Sequence, residues 1–482
     1  MEQLFYKAKD GACADFIPFY EDGWFYLFYL KDYRNIKEFG EGCPWFCIRT
    51  KDFVVFEELG EQIERGKRED QDLFVFTGSV FHDTKGDGSY HIFYTGHNHY
   101  LKEQGGRQEA IMHAVSVDLV HWEKKEEKFY APPGYEEHDW RDPYVFYNEK
   151  AACYNMILAG RITNGPVKHR GVTVLCSSKD LINWNVDYNL YEPNCYVTHE
   201  CPDLFQMGDW WYLVFSEFSD KFRTRYVMSR SIEGPWIKPK DDIFDTRAYY
   251  AAKTAFDGKH RYLFGWLASR YEDTDQGIWQ WGGNLVVHEL LQRQDGTLHI
   301  DMPKSIKEYI LSNSDPIISD SKSFEDKIIL KEQCGFQSIW CNAMSQTGMI
   351  EFDIEFGEGS GETGVLIQSE EKLEEGYKLL FSLAENKMEF RGISALNPDP
   401  DFLGIDRTLD LKKGTVYHVT IVYDKTCIIV YFDHSYALCA RMYRLGTGKL
   451  GFFTTGQAMT IKNMKEMVCC KVDRSLCEDY SK

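Results

Sequence analysis

Ser116–Trp122 reads S-V-D-L-V-H-W, and Ser178–Trp184 reads S-K-D-L-I-N-W. A looser copy, T-K-D-F-V-V-F, occupies Thr50–Phe56. Each copy follows a strand-like run and leads into another turn. Short-strand units recurring roughly every 40–70 residues are the mark of propeller blades, whose radial closure leaves few exposed sheet edges. The alternative is a strand-turn-strand unit reused in an unrelated sandwich.

Around these copies lie runs such as GWFYLFYL (23–30), SYHIFYTG (89–96), WWYLVFSEF (210–218) and HRYLFGWL (260–267). They alternate apolar and polar residues over a few positions and are broken by Gly, Asp or Asn, which is the pattern of antiparallel strands. Helical periodicity is scarce; the clearest stretch is Glu57–Lys67. Aromatic residues make up 15% of the chain, favouring strands and offering flat faces for sugar rings. An all-β protein follows, and 482 residues are enough for two domains. Composition changes after Met302, where aromatics give way to Ser, Asp, Lys and Ile. A second strand series then begins, including GMIEFDIEF, VYHVTIVYD and CIIVYFD. The expected division is a five-bladed propeller over 1–308, a linker over 309–325 and a β-sandwich over 326–482. The glycine-rich GEGSGETG at 357–364 has no helix after it and reads as a hairpin loop, not a phosphate cradle.

A formal net charge of −20, from 75 acidic against 55 basic residues, sets the protein against nucleic acid and anionic membranes and favours a small neutral ligand. No run approaches about 18 consecutive apolar residues, and the N-terminal stretch lacks the layout of an export signal. A cytoplasmic location is expected, and with it fourteen reduced cysteines in place of a disulfide framework. Cys43 and Cys47 have no matching second pair, and Cys469 and Cys470 are adjacent, so no metal centre and no cofactor are expected. The C-terminal domain is expected to buttress the first or to join a homo-oligomer.

Three acids stand in turn-like phrases beside strands: Asp15 in A-D-F-I-P-F, Asp142 in W-R-D-P-Y-V-F and Glu200 in T-H-E-C-P-D-L-F. Each alone has an ordinary structural reading. Together, in this order, they resemble glycoside hydrolase family 32, the invertases, levanases and inulinases. R-D-P at Arg141–Pro143 is similar to that family's stabiliser phrase and E-C-P-D at Glu200–Asp203 to its acid/base phrase. F-T-G-S at Phe76–Ser79 resembles its F-S-G-S segment, and D-T-R-A-Y-Y-A-A-K-T at Asp245–Thr254 resembles a phrase ending in Y-A-A-Q-T. Gly265 and Trp266 follow.

The resemblance covers residues 10–303 and implies a five-bladed propeller with a trailing sandwich. It also implies Asp15 as nucleophile, Glu200 as acid/base, Asp142 as transition-state stabiliser, and substrate contacts from Trp45, Phe76, Thr77, Arg141, Asp245, Tyr250 and Trp266. The nucleophile phrase departs from the family's W-M-N-D-P-N-G, with Ala14 before Asp15 and Phe16 after it. Leu30 replaces a Gln, and Val287-His288-Glu289 replaces P-R-E. Substrate choice is therefore less fixed than reaction class.

The implied chemistry is retaining hydrolysis of terminal β-fructofuranosyl bonds in sucrose or short fructo-oligosaccharides. A carboxylate attacks the anomeric carbon, while a second carboxyl must be protonated for the leaving oxygen and then ionised to activate water. Environments must push the two proton affinities apart, and the charge of Asp15 is expected to raise Glu200. The other readings are a non-catalytic carbohydrate-binding propeller, a five-bladed hydrolase of arabinose- or xylose-containing glycans, and a fructosyltransferase using the same intermediate.

Overall fold

The computed structural model describes residues 1–316, 327–394, 404–444 and 448–469. Its first nineteen strands form four antiparallel sheets, one of them eight-stranded and made of two blades joined where Cys13 of the first pairs with Gly283 of the last. Blade I holds β1 (Ala12–Glu21), β2 (Trp24–Asp32), β3 (Trp45–Thr50) and β4 (Phe56–Ile63); blade II holds β5 (Phe74–His82), β6 (Tyr90–His97), β7 (Glu109–Ser116) and β8 (Glu123–Lys124). Blade III holds β9 (Arg141–Asn148), β10 (Cys153–Arg161), β11 (Gly171–Ser178) and β12 (Asn185–Tyr191). Blade IV holds β13 (Glu200–Met207), β14 (Trp210–Glu217) and β15 (Arg223–Ser229); blade V holds β16 (Tyr249–Phe256), β17 (Arg261–Arg270), β18 (Trp279–Gln292) and β19 (Leu298–Asp301). The first strand of each blade touches the first strand of the next, β1 to β5 to β9 to β13 to β16 and back to β1. That cycle is a closed five-bladed propeller.

Burial follows from this closure. In blade III, β10 is buried almost throughout, because neighbouring blades cover both of its faces, whereas the outer strand β12 is mostly exposed or half-buried. Period-2 alternation then serves two interfaces at once. Met156 and Leu158 pack towards Phe93 and Ile111 of blade II, while the intervening Ile157 packs with Leu213, Phe215 and Val227 of blade IV.

The repeated phrase is the turn between the third and fourth strands of blades I, II and III. In blade III the Ser178 hydroxyl accepts from the Asp180 and Leu181 amides at 3.2 and 3.0 Å. Asp180 Oδ1 accepts from the Ile182 and Asn183 amides at 3.0 and 2.8 Å. Ser116 with Asp118, and Thr50 with Asp52, make the same sets. The following Leu181, Leu119 and Phe53 all sit at positive φ. The repeat is thus local turn chemistry in which side chains satisfy otherwise orphaned amides. Ser178→Ala removes the acceptor for two of them and should cost about 1 kcal/mol. Thermal denaturation should register a loss of about 2 °C with turnover unchanged; an unaltered melting temperature would deny the turn its structural weight.

One sequence expectation is corrected. The stretch Glu57–Lys67, read as helical, lies as far as Ile63 in the outer strand β4. Its FEELGEQI buries its two ends, at Phe56 and at Gln62 and Ile63, and leaves its polar middle half-buried or exposed, and Gly60 at φ +81 lies in a stretch of shifting register against β3. Where the segment 309–325 begins, the helix Lys304–Asn313 runs to 313, with Ile306 and Ile310 buried, and Ser314–Pro316 is a strand. The remainder of that segment lies outside the described residues.

By internal contacts the chain divides into two units, Tyr6–Ala268 with Trp281–Leu298, and Ser269–Gln280 with 299 onward, with Glu2–Phe5 joining the second. The second unit carries two antiparallel sheets. One runs Ser314–Pro316, Gln457–Cys469, Thr347–Gly359, Val416–Asp424, Cys427–Phe432, Tyr436–Arg441, with Lys327–Leu330 on the side; the other runs Gln337–Ala343, Lys449–Thr454, Thr363–Ser369, Glu375–Ser382, Lys387–Ser394, Ile405–Thr408. No helix among the described residues is long and apolar enough to cross a membrane.

Candidate active site

Each of the five inner strands brings one side chain to the same place: Asp15 from β1, Thr77 from β5, Asp142 from β9, Glu200 from β13 and Tyr250 from β16. A shared backbone device puts them there. Between Ala14 and Ile17, two residues of β1 face Tyr29 alone. Asp142 and Pro143 likewise face Leu158, Cys201 and Pro202 face Phe215, and Ala251 and Ala252 face Gly265. In all four the first bulged residue has positive φ: Asp15 +42°, Asp142 +61°, Cys201 +51° and Ala251 +52°. In β5 the single residue Thr77 is extruded between Phe76 and Gly78. Such bulges bend the strand and re-aim a side chain, and they gather at functional sites. Gly78 is obligatory beside one of them, since a Cβ there would stand 1.9 Å from the Phe93 carbonyl oxygen.

Asp15 receives two neutral donors, the Thr77 hydroxyl at 2.7 Å to Oδ2 and the Trp266 indole N–H at 2.9 Å to Oδ1. Burial raises its proton affinity above the ordinary value, and these two hydrogen bonds, with Lys253 and Arg141, oppose that rise. With Ala14 lacking a side-chain amide, Thr77 and Trp266 are the side chains that orient the carboxylate. Asp142 accepts from the Cys201 amide at 2.8 Å, and its own amide donates to Thr95 Oγ1 at 2.8 Å. Burial lifts it to about 6, against the pull of Arg141.

Glu200 accepts from the Tyr250 hydroxyl at 2.7 Å and lies 3.6 Å from an Arg141 nitrogen. Burial pushes it up to about 8; Arg141 opposes this and Asp142 adds to it. The like charges that add most to this rise are Asp142 and then Asp139, both secondary to burial. The arrangement holds one carboxyl protonated at neutral pH beside another furnished with donors, which is the division a proton donor and a nucleophile need.

Arg141 is itself clamped. It pairs with Glu109 at 3.1 Å and, more closely, with Asp139. Arg161 shares Asp139 at 3.2 Å, and His97 reaches Glu109 at 3.0 Å. Against the cost of burial, Arg141, His138 and His97 hold Glu109 well below the usual carboxylate range. Neither Glu109, Asp139 nor His97 stood out in the sequence, because their roles arise only where blades II and III meet.

Of the residues expected to touch substrate, Thr77, Arg141, Tyr250 and Trp266 join the cluster. Phe76 is half-buried and stacks on His97 at 4.7 Å. Trp45 is not a wall: it is fully buried, and its indole N–H is shared by the Val75 and Phe76 carbonyls at 3.1 and 3.2 Å, bracing β5 from behind. Asp245 is also drawn away, its fully buried carboxylate bound to His288 Nε2 at 3.1 Å and to the Thr246 amide. Asp203 of the E-C-P-D phrase ties blade IV to blade V by accepting from the Thr254 amide and hydroxyl. Within the propeller a group with metal-ligand chemistry, Asp83, Asp87 and His91, spans the β5–β6 turn and the start of β6. Tyr154 and the Gly86 amide donate to Asp83, and the Ser89 hydroxyl bonds Asp87 and His91.

Residues 17–300 match the N-terminal domain of the glycosyl hydrolases family 32, more than half of the sequence. The chain belongs to glycosyl hydrolase family 32. It is similar to a sucrose-6-phosphate hydrolase of Escherichia coli, 24% identical over 275 residues that cover 53% of this chain and 54% of that one. It is also similar to a levanbiose-producing levanase of Bacillus subtilis (strain 168), 25% identical over 351 residues covering 62% and 60%. The alignments thus span just over half the length of these curated family 32 relatives. Among solved structures, sucrose-6-phosphate hydrolase from Lactobacillus gasseri superposes with a TM-score of 0.72 at 17% identity, covering 95% of this chain and 91% of that one. A variant of fructan 1-exohydrolase IIa from Cichorium intybus, in complex with 1-kestose, gives 0.72 at 15% identity, covering 97% and 98%. These family 32 neighbours are five-bladed propellers followed by a β-sandwich, the fold class read from the sequence.

Proposed function

We propose that the protein is a retaining glycoside hydrolase that removes terminal β-fructofuranosyl units from sucrose or short fructo-oligosaccharides. Asp15 attacks the anomeric carbon, Glu200 first protonates the leaving oxygen and then deprotonates water, and Asp142 steadies the sugar hydroxyls as the ring flattens. Arg141 and Tyr250 hold Glu200, and Thr77 and Trp266 hold Asp15. The carrying observation is the opposed treatment of two acids in one cluster: Asp15 faces two hydrogen-bond donors, while burial lifts Glu200 to about 8. A binding module has no use for a protonated carboxyl there. Family membership and the names of the relatives support the fructoside class. Buried free thiols such as Cys13, Cys47, Cys176 and Cys201 suit a reducing compartment, and we assign the protein to the cytoplasm.

A panel of sucrose, 1-kestose, levanbiose, arabinofuranosides and xylosides with product analysis tests the proposal. Free fructose should come from the first group alone. Arabinose release would redirect the assignment, and no monosaccharide from any member would end it.

A further inference from the structure

Lys253 stands where the resembling phrase has Gln, and it is almost completely buried, 2% exposed. It lies on the inner strand β16, just past the bulge that aims Tyr250 at Glu200. Its Nζ donates to the Pro202 carbonyl at 2.9 Å, and it sits 5.4 Å from the centre of the Tyr144 ring. A glutamine amide could make the same hydrogen bond to a neutral carbonyl. What lysine adds is charge, and a buried charge is costly unless something nearby answers it.

The answering groups are within the cluster. Neither Asp15 nor Asp142 has a basic nitrogen within ion-pair distance among the described residues, their direct partners being Thr77, Trp266 and the Cys201 amide. Arg141 is divided among Glu109, Asp139 and Glu200. Of the other charged residues packed near β16, Glu217 pairs with Arg225 at 2.7 Å, and Asp203, which takes two hydrogen bonds from Thr254 on Oδ2 and none on Oδ1, has the Arg261 guanidinium as its charged neighbour. The remaining titratable neighbours, Cys201, Tyr144 and Tyr250, are buried groups whose proton affinities lie above their ordinary values, so they are neutral at neutral pH.

Resting on the hydrolase reading above, we propose that Lys253 is a positioning residue, the buried cation that keeps Asp15 and Asp142 as carboxylates at neutral pH while Glu200 stays protonated. Burial drives both aspartates towards the neutral acid, and Lys253 and Arg141 are the two cations that oppose this in each. At low local dielectric a full charge acts over several ångströms, so direct contact is not needed.

The test compares wild type, Lys253→Gln and Lys253→Arg in the full-length protein. On a fructoside, the acidic limb of kcat/KM should move up by about one pH unit in K253Q and return in K253R. Wild type releasing no fructose would defeat the hydrolase reading itself, so a readout independent of turnover accompanies it. Carboxyls with raised native proton affinity lend stability below their unfolded-state values and lose it as pH rises through the native ones. The melting temperature of K253Q should therefore fall more steeply than that of wild type or K253R between about pH 4 and pH 8. Superimposable profiles and slopes, or K253R behaving like K253Q, would overturn the proposal. If K253Q does not fold at neutral pH it should fold at about pH 4, where the carboxyls are protonated; failure there as well points to a packing role and refutes the charge role.

Discussion

Asp15→Asn should lower turnover of a fructoside by about four orders of magnitude or more while leaving the fold and the affinity for uncleaved sugar nearly intact. The amide is close in shape to the carboxylate but cannot attack carbon, so no covalent intermediate forms. Asn is a sounder replacement than Ala for a conformational reason. Asp15 occupies φ +42 at the head of its bulge, a region that Asn and Asp enter readily but that costs Ala about 1–2 kcal/mol. The hydrogen bonds also survive. Trp266 Nε1 can only donate, which fixes the amide oxygen on its side, and the Thr77 hydroxyl can reverse and accept from the amide nitrogen. Asp15→Ala loses both partners and adds strain, so its melting temperature should drop where that of the Asn variant holds. Quench-flow should find no fructosyl burst in D15N, with calorimetry still detecting the bound fructoside. Retention of more than a few per cent of wild-type kcat in a preparation free of wild type would remove Asp15 from the nucleophile role.

The parts of the molecule that can be read from sequence are those fixed by local chemistry. Ser178 and Asp180, like Ser116 and Asp118, satisfy amides one to three residues away, so their phrase survives as a readable repeat and exposes the blades. The short phrases A-D-F, R-D-P, E-C-P-D and Y-A-A-K are legible for a related reason: each is the bulge of an inner strand, and its residues are constrained by backbone geometry as well as by chemistry. What sequence hides is the side of a strand on which a residue lands, and who meets it across a blade interface. Trp45 and Asp245 sit beside motif phrases yet turn into the packing. Glu109 and Asp139 stand outside the motif phrases and Lys253 closes one of them, yet all three acquire their importance from partners on other blades. The strand Phe56–Ile63 is obscured because its buried apolar residues stand only at its two ends, and the helix Lys304–Asn313 because its buried side is narrow, centred on Ile306 and Ile310. The electrostatics are hidden in the same way, since the order of acids along the chain does not reveal that burial, with Asp142 and Asp139 beside it, raises Glu200.

Glu200→Gln should lower kcat by a factor of about 10²–10⁴ and should also change how both rate and stability respond to pH. In wild type, Glu200 must carry its proton when the leaving oxygen departs, so activity should fall as pH rises through about 8. The acidic side is set by ionisation of Asp15 and Asp142, both raised above 3.8. The whole bell is therefore displaced to higher pH than two exposed carboxyls would give. Gln has no proton to lose, so the residual activity of E200Q should have no alkaline limb, and the defect should be smallest for leaving groups that depart without protonation. Stability follows with a definite sign. The native proton affinity of Glu200 is raised from 4.5 to about 8, so the protonated form contributes stability that is complete below the unfolded value and is lost as pH climbs through the folded one. E200Q keeps its contact with the Tyr250 hydroxyl at every pH and never buries a charge. Its melting temperature should accordingly gain on that of wild type between about pH 5 and pH 9. A difference that stays constant across that range, or an alkaline limb that persists in E200Q, would mean that a group other than Glu200 supplies the proton.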